Sequence, residues 1–231
     1  MGGEAMDWRQ APGLFVTGTD TGCGKTEISL GLMRYFQDQG LRALGMKPVA
    51  SGSERSAYGL RNQDALRLQA QGSLEQPYEL INPYAFESPI APHLAAAREG
   101  RSIGLVRILA GYRGLAAAAE RVIVEGVGGW RVPLGADLDV AGLARALGLP
   151  VVLVVGLRLG CLNHALLTAE AILAEGCVLA GWVANRVDPE MLLPEENLAT
   201  LVERLPAPCL GQVPSMRQPQ PEAVAAALAA A

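Results

Sequence analysis

A glycine-rich segment that ends in Gly24-Lys25-Thr26 lies between a short apolar run and a helical pattern. In such a segment the backbone N–H groups can point at phosphate oxygens, and the helix N-terminus adds partial positive charge. The Lys25 ammonium can reach β- and γ-phosphates, and the Thr26 hydroxyl can bind Mg²⁺. The strict pattern GxxxxGK[ST] is not met, because five residues and not four separate Gly18 from Gly24. We still interpret the segment as a phosphate-binding loop, since a GKT ending in this context rarely arises by chance.

Two further strands are predicted to end on charged side chains that suit phosphoryl transfer. Glu125 ends the predicted strand directly after the apolar run 122–124 and precedes Gly126, which places its carboxylate at the carboxyl edge of a sheet. Nucleotide-bound Mg²⁺ takes only one or two protein carboxylates, so a metal role is favoured over that of a solvated acid. Lys47 ends the second predicted strand, just before Pro48. An ammonium in that place can neutralise charge on a transferring phosphoryl group.

Two other polar residues admit a purely local explanation. Asp64 lies at a predicted helix start that Asn62 would cap. On local sequence alone, Asp64 is best explained as an acid that interacts with the helix dipole. Ser51 follows the second predicted strand, where its hydroxyl either donates to an oxyanion or closes a turn.

The apolar patterns define the elements that would position these residues. Strands are predicted over 14–18, 41–49, 121–125, 151–155, 178–185 and 209–213. Helices are predicted over 25–39, 62–70, 103–119, 139–147, 162–175, 194–204 and 222–231. Residues 51–63 are predicted to form a loop, and the prolines between 77 and 92 exclude a long helix there. This alternation predicts an α/β fold with a parallel sheet covered by helices on both faces, and ligands bind at the carboxyl ends of such strands.

The composition is typical of a soluble folded chain. The 231 residues are 50% hydrophobic, only 5% aromatic and 18% charged, with a net charge of −4. This excludes global disorder and argues against a nucleic-acid-binding surface. No segment reaches the roughly 20 apolar residues of a membrane helix, and residues 1–13 lack the apolar region of a signal peptide. We predict a cytoplasmic protein with reduced cysteines and no nucleic-acid or membrane partner. Residues 1–13 would be an N-terminal extension and residues 14–231 a single domain.

Several segments, taken together and in this order, resemble the dethiobiotin synthetase family. They are 15–26 (FVTGTDTGCGKT), 47–52 (KPVASG), 59–66 (GLRNQDAL), 82–84 (NPY), 124–130 (VEGVGGW), 155–164 (VGLRLGCLNH) and 179–185 (LAGWVAN). The resemblance extends from residue 14 to about residue 214, which is nearly the whole chain. The phosphate loop of that family carries the same additional residue, which accounts for the unusual spacing.

The resemblance implies a three-layer P-loop NTPase-type α/β fold and a homodimer with the substrate at its interface. It implies ATP-dependent formation of dethiobiotin from 7,8-diaminopelargonate and CO₂, with release of ADP and phosphate, in biotin synthesis. One amine would capture CO₂ as a carbamate, which attacks the γ-phosphate to give a carbamic-phosphoric anhydride. The second amine would then close the ureido ring by displacing phosphate. ATP is the implied co-substrate, and Mg²⁺ is the implied metal.

The resemblance also implies roles for individual positions. The catalytic residues would be Lys25, Lys47 and Thr21, with Ser51 helping to position the carbamate. The Mg²⁺ ligands would be Thr26, Asp64 and Glu125. The nucleotide would contact Gly22, Cys23, Gly24, Lys25, Thr26, Glu27, Asp64, Glu125, Gly126, Val127, Gly128, Asn185, Arg186, Pro214, Ser215, Met216 and Glu222. The substrate carboxylate would lie at the helix start formed by Gly160, Cys161, Leu162 and Asn163.

Some positions depart from the family pattern, and other functions of the same fold deserve comparison. Gly22 stands where the family often has Glu, and Asn197 and Ser215 stand where aromatic residues occur.

A partition- or septum-type ATPase would usually carry a second lysine near the first glycine of the loop, where this chain has Thr19 or Asp20. A cobyrinate-type amidase would need a glutaminase domain, for which 231 residues leave no room. A binding module without enzymatic activity would not require the charged strand ends.

Overall fold

The computed structural model describes residues 7–230. Its strands are β1 (Gly13–Gly18), β2 (Ala43–Met46), β3 (Val49–Ala50), β4 (Glu54–Ser56), β5 (Gly59–Arg61), β6 (Tyr84–Ala85), β7 (Arg121–Glu125), β8 (Val151–Gly156), β9 (Leu179–Asn185) and β10 (Cys209–Val213). Its α-helices are α1 (Lys25–Asp38), α2 (Gln63–Gln71), α3 (Tyr78–Ile81), α4 (Pro92–Arg98), α5 (Leu105–Ala118), α6 (Val140–Leu147), α7 (Cys161–Ala174), α8 (Pro194–Arg204) and α9 (Pro221–Ala229). A short 3₁₀ helix, Trp8–Gln10, precedes β1.

Six strands form one parallel sheet in the order β10-β9-β8-β1-β7-β2. β1 lies between β8 and β7, with Val16 opposite Glu125, and β2 lies beside β7, with Met46 opposite Val124. Parallel strands end at the same edge, so the loop after β1, Glu125 and Lys47 converge there. The predicted α/β class with a mostly parallel, helix-covered sheet is confirmed.

The sheet is apolar on both faces because helices cover both. In β1, Leu14 and Val16 face a core that α1 and α9 complete, whereas Phe15 faces a second core completed by α5, α6 and α7. All six residues of β1 are buried, and so are all six of β8. This explains why these strands appear in the sequence as continuous apolar runs without alternation.

The second strand is shorter than the predicted 41–49. β2 ends at Met46, and the chain resumes extended structure in β3, which pairs with β6 in a separate two-stranded sheet. Pro48 has no backbone N–H with which to continue the ladder of the large sheet. The N–H of Lys47 donates instead to the carbonyl of Ile81 at 2.8 Å. Lys47 therefore lies at the point where the chain leaves the large sheet.

The segment 51–63 was predicted as a loop but contains a hairpin of β4 and β5. The Ser56 hydroxyl accepts from the Tyr58 N–H at 3.1 Å and donates to the Gly59 carbonyl at 2.8 Å, and Gly59 has a φ of +96°. All residues of β4 are exposed, so the sequence lacks the apolar alternation that indicates a half-buried strand. The prolines between 77 and 92 do exclude a long helix: α3 has four residues, and α4 begins at Pro92.

Residues 8–13, which we expected to precede the domain, pack against it. The Trp8 side chain is buried, and its ring centroid lies 5.0 Å from that of Tyr35 and 5.9 Å from that of Phe36 on α1. Residues 1–6 of the expected extension lie outside the described residues. Within residues 7–230, no helix is long and apolar enough to span a membrane, and the four cysteines form no disulfide.

Candidate active site

Four side chains from separate segments form one hydrogen-bonded cluster at the carboxyl edge of the sheet, with the Lys47 ammonium at its centre. The Nζ of Lys47 lies 2.5 Å from Glu125 Oε1 and 3.0 Å from Asp64 Oδ2. The Thr26 hydroxyl donates to the same Glu125 oxygen at 2.9 Å. The structure thus brings together the three residues predicted as metal ligands. The predicted catalytic residue Lys47 lies in contact with two of them.

Burial and charge act in opposite directions on this cluster. The side chains of Lys47 and Glu125 are 6% and 1% exposed, whereas that of Asp64 is 40% exposed. Burial favours the neutral amine, but the carboxylates of Glu125 and Asp64 outweigh it and raise the pKa of Lys47. Burial also opposes ionisation of Asp64, but the Lys47 ammonium holds the pKa of that carboxyl below its usual value. Lys47 and Asp64 are therefore both charged at neutral pH.

Lys25 is a buried cation that forms no ion pair within residues 7–230. Its Nζ donates to the backbone carbonyl of Asp20 at 2.9 Å and lies 3.9 Å from Cys23 Sγ. Burial lowers the pKa of Lys25, and the neighbouring charge of Lys47 acts in the same direction. A buried charge without a partner of opposite sign is costly. The environment of Lys25 therefore favours an incoming anion, such as a phosphate group.

Gly24 and Asn185 together fix the shape of the phosphate-binding loop. Asn185 Nδ2 donates to the carbonyl of Cys23 at 2.9 Å. Gly24 has a φ of +91°, and a Cβ at this position would lie 2.0 Å from that same Nδ2 atom. Only glycine satisfies both requirements, because any other residue would be strained and would collide with the amide. Asn185, predicted to contact adenine, thus also holds the loop itself.

A cavity of about 670 Å³ opens beside this loop. Its wall contains most of the residues predicted for phosphate, metal and carbamate binding: Thr21, Gly22, Gly24, Lys25, Thr26, Glu27, Lys47, Ser51, Asp64, Glu125, Val127 and Gly128. Another part of the wall is apolar and consists of residues 89–92 and Val132, to which the sequence reasoning gave no role.

A second cavity, of about 240 Å³, is lined by Arg186, Pro214 and Ser215 among the predicted nucleotide contacts. The remaining predicted contacts line neither cavity: Cys23, Gly126, Asn185, Met216, Glu222 and the turn 160–163. Glu222 pairs with Arg34 of α1 at 2.5 Å. The roles predicted for these residues stay predictions.

Sequence reasoning gave no role to Asn82, which holds the backbone of Lys47. Asn82 Nδ2 donates to the Lys47 carbonyl at 2.6 Å, and its Oδ1 accepts from the Tyr78 hydroxyl at 3.0 Å. The Tyr78 oxygen in turn accepts from the N–H of Asn62, the residue that caps α2. This buried chain of hydrogen bonds links Lys47 to the start of the helix that carries Asp64.

Replacement of Asn82 by alanine is expected to lower both stability and turnover. Asn82→Ala leaves the Lys47 carbonyl and the Tyr78 hydroxyl buried without this partner, which costs about 2–3 kcal/mol of the free energy of unfolding. Release of the Lys47 backbone should also lower kcat by about tenfold. Thermal unfolding and steady-state kinetics measure the two effects. Tyr78→Phe is the control, because it lowers stability yet leaves the contact between Asn82 and Lys47 intact; an equal loss of kcat in both variants would contradict the interpretation.

The three residues predicted as metal ligands fit Mg²⁺. Glu125 Oε2 is buried and has no hydrogen-bond partner among the described residues, so the carboxylate has an oxygen free for a cation. Together with the Thr26 hydroxyl and the Asp64 carboxylate, it supplies the hard oxygen ligands that Mg²⁺ prefers. In the part of the chain that the structure describes, no three acidic, histidine or cysteine side chains form a complete metal cage. Few protein ligands are the norm for Mg²⁺ that binds together with a nucleotide.

One signal in the sequence could have pointed to both lysines at once. Lys25 and Lys47 are the only lysines of the chain, and the other 17 basic residues are arginines. A compact ammonium on a flexible stem differs from the planar guanidinium in shape, hydration and ease of deprotonation. In a chain whose other cationic side chains are arginines, two isolated lysines indicate positions where a guanidinium cannot replace the ammonium.

The parallel sheet, the loop at the end of its central strand and the cluster of Thr26, Asp64 and Glu125 define a P-loop nucleotide-binding α/β protein. The chain is similar in fold to the MinC:MinD cell division protein complex of Aquifex aeolicus, with a TM-score of 0.54, 13% identity, 93% of this chain and 86% of that chain covered. It is also similar in fold to a ParA family ATPase of Chlorobium tepidum, with a TM-score of 0.52, 14% identity, 90% of this chain and 85% of that chain covered. The sequence profile of the AAA_26 family, described as an AAA domain, matches residues 12–223.

Much closer similarity exists to ATP-dependent dethiobiotin synthetases. The chain is 58% identical to that of Pseudomonas paraeruginosa over 218 residues, which cover 94% of this chain and 96% of the relative. It is 54% identical to that of Xanthomonas oryzae pv. oryzae, with 95% and 96% covered, and 52% identical to that of Cellvibrio japonicus, with 93% and 94% covered. The chain belongs to the ATP-dependent dethiobiotin synthetase family, and the resemblance stated from its motifs is confirmed.

Proposed function

We propose that this chain converts 7,8-diaminopelargonate, CO₂ and ATP to dethiobiotin, ADP and phosphate, with Mg²⁺ bound to the nucleotide. The observation that carries the proposal is the meeting of both lysines with Thr26, Asp64 and Glu125 at one cavity. The relatives named above, which are 52–58% identical and match almost end to end, support the same reaction.

The phosphate groups of ATP bind in the loop before α1. The positive φ values of Gly22 and Gly24 shape the backbone there, and the N-terminus of α1 adds partial positive charge. Lys25 exchanges its contact with the Asp20 carbonyl for phosphate oxygens, which supply the negative charge that its buried ammonium lacks.

Thr26, Asp64 and Glu125 would hold Mg²⁺. The bound ion would neutralise part of the charge on the phosphates. Lys47 Nζ lies between the Asp64 and Glu125 carboxylates, so it must move partly aside for both carboxylates to bind the ion. Its flexible stem permits this movement while the backbone stays fixed by Asn82.

Lys47 acts on the carbamate and on the transferring phosphoryl group. Once CO₂ has joined one amine, with loss of a proton, the carbamate oxygen attacks the γ-phosphorus and ADP leaves. Lys47 and Lys25 stabilise the negative charge that gathers on both groups during this step. Ser51 Oγ is buried at the cavity wall without a hydrogen-bond partner among the described residues, so it is free to donate to the carbamate, as is the Thr21 hydroxyl. The second amine then attacks the carbonyl carbon and phosphate leaves.

The remaining assignments concern the two ends of the ligands and the assembly. Arg186, Pro214 and Ser215 form the pocket for the base, with Asn185, Met216 and Glu222 as further nucleotide contacts. The turn of Gly160, Cys161, Leu162 and Asn163 binds the substrate carboxylate in a cytoplasmic homodimer. Two exposed leucines support a subunit contact in this region: Leu159, just before that turn, is 97% exposed, and Leu167 on α7 is 57% exposed.

An assay with defined components tests the proposal. Purified protein with 7,8-diaminopelargonate, bicarbonate and MgATP should form dethiobiotin and ADP in equal amounts, and light scattering on the same sample should give the mass of a dimer. Omission of the diamine should abolish ADP release. ATP hydrolysis that does not depend on the diamine, with no dethiobiotin formed, would contradict the proposed reaction.

A further inference from the structure

One ion pair at the cavity has no role in the proposed mechanism beyond the nucleotide contact predicted for Glu27. Arg67 NH1 and NH2 lie 2.6 and 2.7 Å from the two carboxylate oxygens of Glu27, which is a bidentate contact. Both residues line the cavity, and their side chains are 41% and 21% exposed. Bidentate arginine–carboxylate pairs fix the relative orientation of their partners more strictly than single hydrogen bonds do.

The pair joins the two helices that carry metal-ligand residues. Glu27 follows Thr26 directly on α1, and Arg67 lies three residues after Asp64 on α2, where side chains share a face. The contact therefore sets the distance between two side chains that must reach the same cation. We propose that Glu27 and Arg67 are positioning residues that hold Thr26 and Asp64 at the spacing required by Mg²⁺.

A second consequence concerns the charge of Arg67. Its position relative to Asp64 would allow the two side chains to pair with each other across one helical turn. Glu27 occupies both arms of the guanidinium and keeps it from that contact. The Asp64 carboxylate accordingly forms its ion pair with Lys47, on the side of the metal-ligand cluster. Residues that bind and orient the ligands of a metal commonly influence the affinity of the site for that metal.

The same two helices are joined again at their far end, which provides a matched control. Gln37 of α1 donates to the carbonyl of Gln71 of α2 at 2.6 Å and accepts from its side-chain amide at 2.7 Å. Gln37 lies outside the cavity wall. Its replacement loosens the contact between α1 and α2 without touching a neighbour of a metal ligand.

The test measures cation binding and not turnover, and it rests on the proposed metal site. Mn²⁺ alone serves as the probe, and electron paramagnetic resonance reports free Mn²⁺ in the presence of the nucleotide-free protein. Glu27→Gln/Arg67→Met removes both charges and so keeps the net charge. We expect it to bind Mn²⁺ about tenfold more weakly than the wild type. Glu27→Arg/Arg67→Glu, which restores the pair in reverse, should regain most of that affinity.

Three outcomes of the Mn²⁺ measurement would overturn the proposal. Unchanged Mn²⁺ affinity in the Glu27→Gln/Arg67→Met variant would overturn the positioning role. An equal loss of affinity in Gln37→Leu would also overturn it, because the effect would then belong to the helix contact in general. Absence of Mn²⁺ binding by the wild type would overturn the metal site itself, together with this inference. Thermal unfolding of every variant separates these outcomes from a failure to fold.

Discussion

Replacement of Lys25 by methionine is expected to abolish dethiobiotin formation while the fold remains as stable as before, or becomes more stable. The side chain is buried, forms no ion pair within residues 7–230 and has a lowered pKa because burial opposes its charge. Methionine fills similar space without the cost of an isolated buried cation. The phosphates and the carbamate lose the ammonium that faces them, so kcat/KM should fall on the order of 10³-fold.

Thermal unfolding and dethiobiotin assays on the same preparation measure both effects. Lys25→Arg serves as the control for charge alone. We expect it to be inactive as well, because the side chain is buried and a planar guanidinium is bulkier than the compact ammonium. Activity above a tenth of the wild type in Lys25→Met, or a clear loss of stability, would show that the loop is wrongly assigned.

Local sequence is sufficient to predict the bounds of an element where the residues at its ends mark them. The strand 121–125 and the helix 194–204 agree residue for residue with β7 and α8. Val122–Val124 leave little alternative to a buried strand, and Pro194 is suited to the first turn of a helix. Glu125 could be placed at the sheet edge for the same reason. The phosphate loop was predictable because its glycines and Lys25 stand close together in sequence.

Other parts of the site depend on contacts between distant segments. Local sequence favours a helix-dipole role for Asp64, and the family resemblance implies a metal role. Its ion pair with Lys47, 17 residues earlier, places it in the cluster. Asn82 binds the carbonyl of a residue 35 positions away, and no local pattern indicates such a bond. All residues of β4 are exposed, so the sequence of this hairpin lacks the apolar alternation that indicates a half-buried strand. Motifs therefore predicted which residues act but not what holds them in place.

Replacement of Lys47 by methionine should, in contrast to Lys25, damage both stability and activity. Lys47 is the partner of Glu125, whose side chain is only 1% exposed. Removal of one member leaves an uncompensated buried charge, which costs about 3–5 kcal/mol of the free energy of unfolding. In a chain of this length the melting temperature should fall on the order of 10 °C. Because the fold raises the pKa of Lys47, its stabilising effect is complete at neutral pH and is lost only as the pH rises through that raised pKa. Turnover should fall at least about 100-fold.

Two further variants separate the causes. Lys47→Met/Glu125→Gln should regain most of the stability, since neither charge remains buried alone, yet it should stay inactive. Arg42→Met removes an arginine from its exposed ion pair with Glu120 at the opposite end of β2, and such pairs contribute at most about 1 kcal/mol. If Lys47→Met melted at the wild-type temperature, the ion pair with Glu125 would not support the fold. If the double variant were as unstable as Lys47→Met, the loss would come from packing and not from charge. The opposite responses expected of the two lysines follow from a single difference between them: Lys47 already has its carboxylates in the folded chain, whereas we propose that Lys25 obtains its counter-charge from the nucleotide.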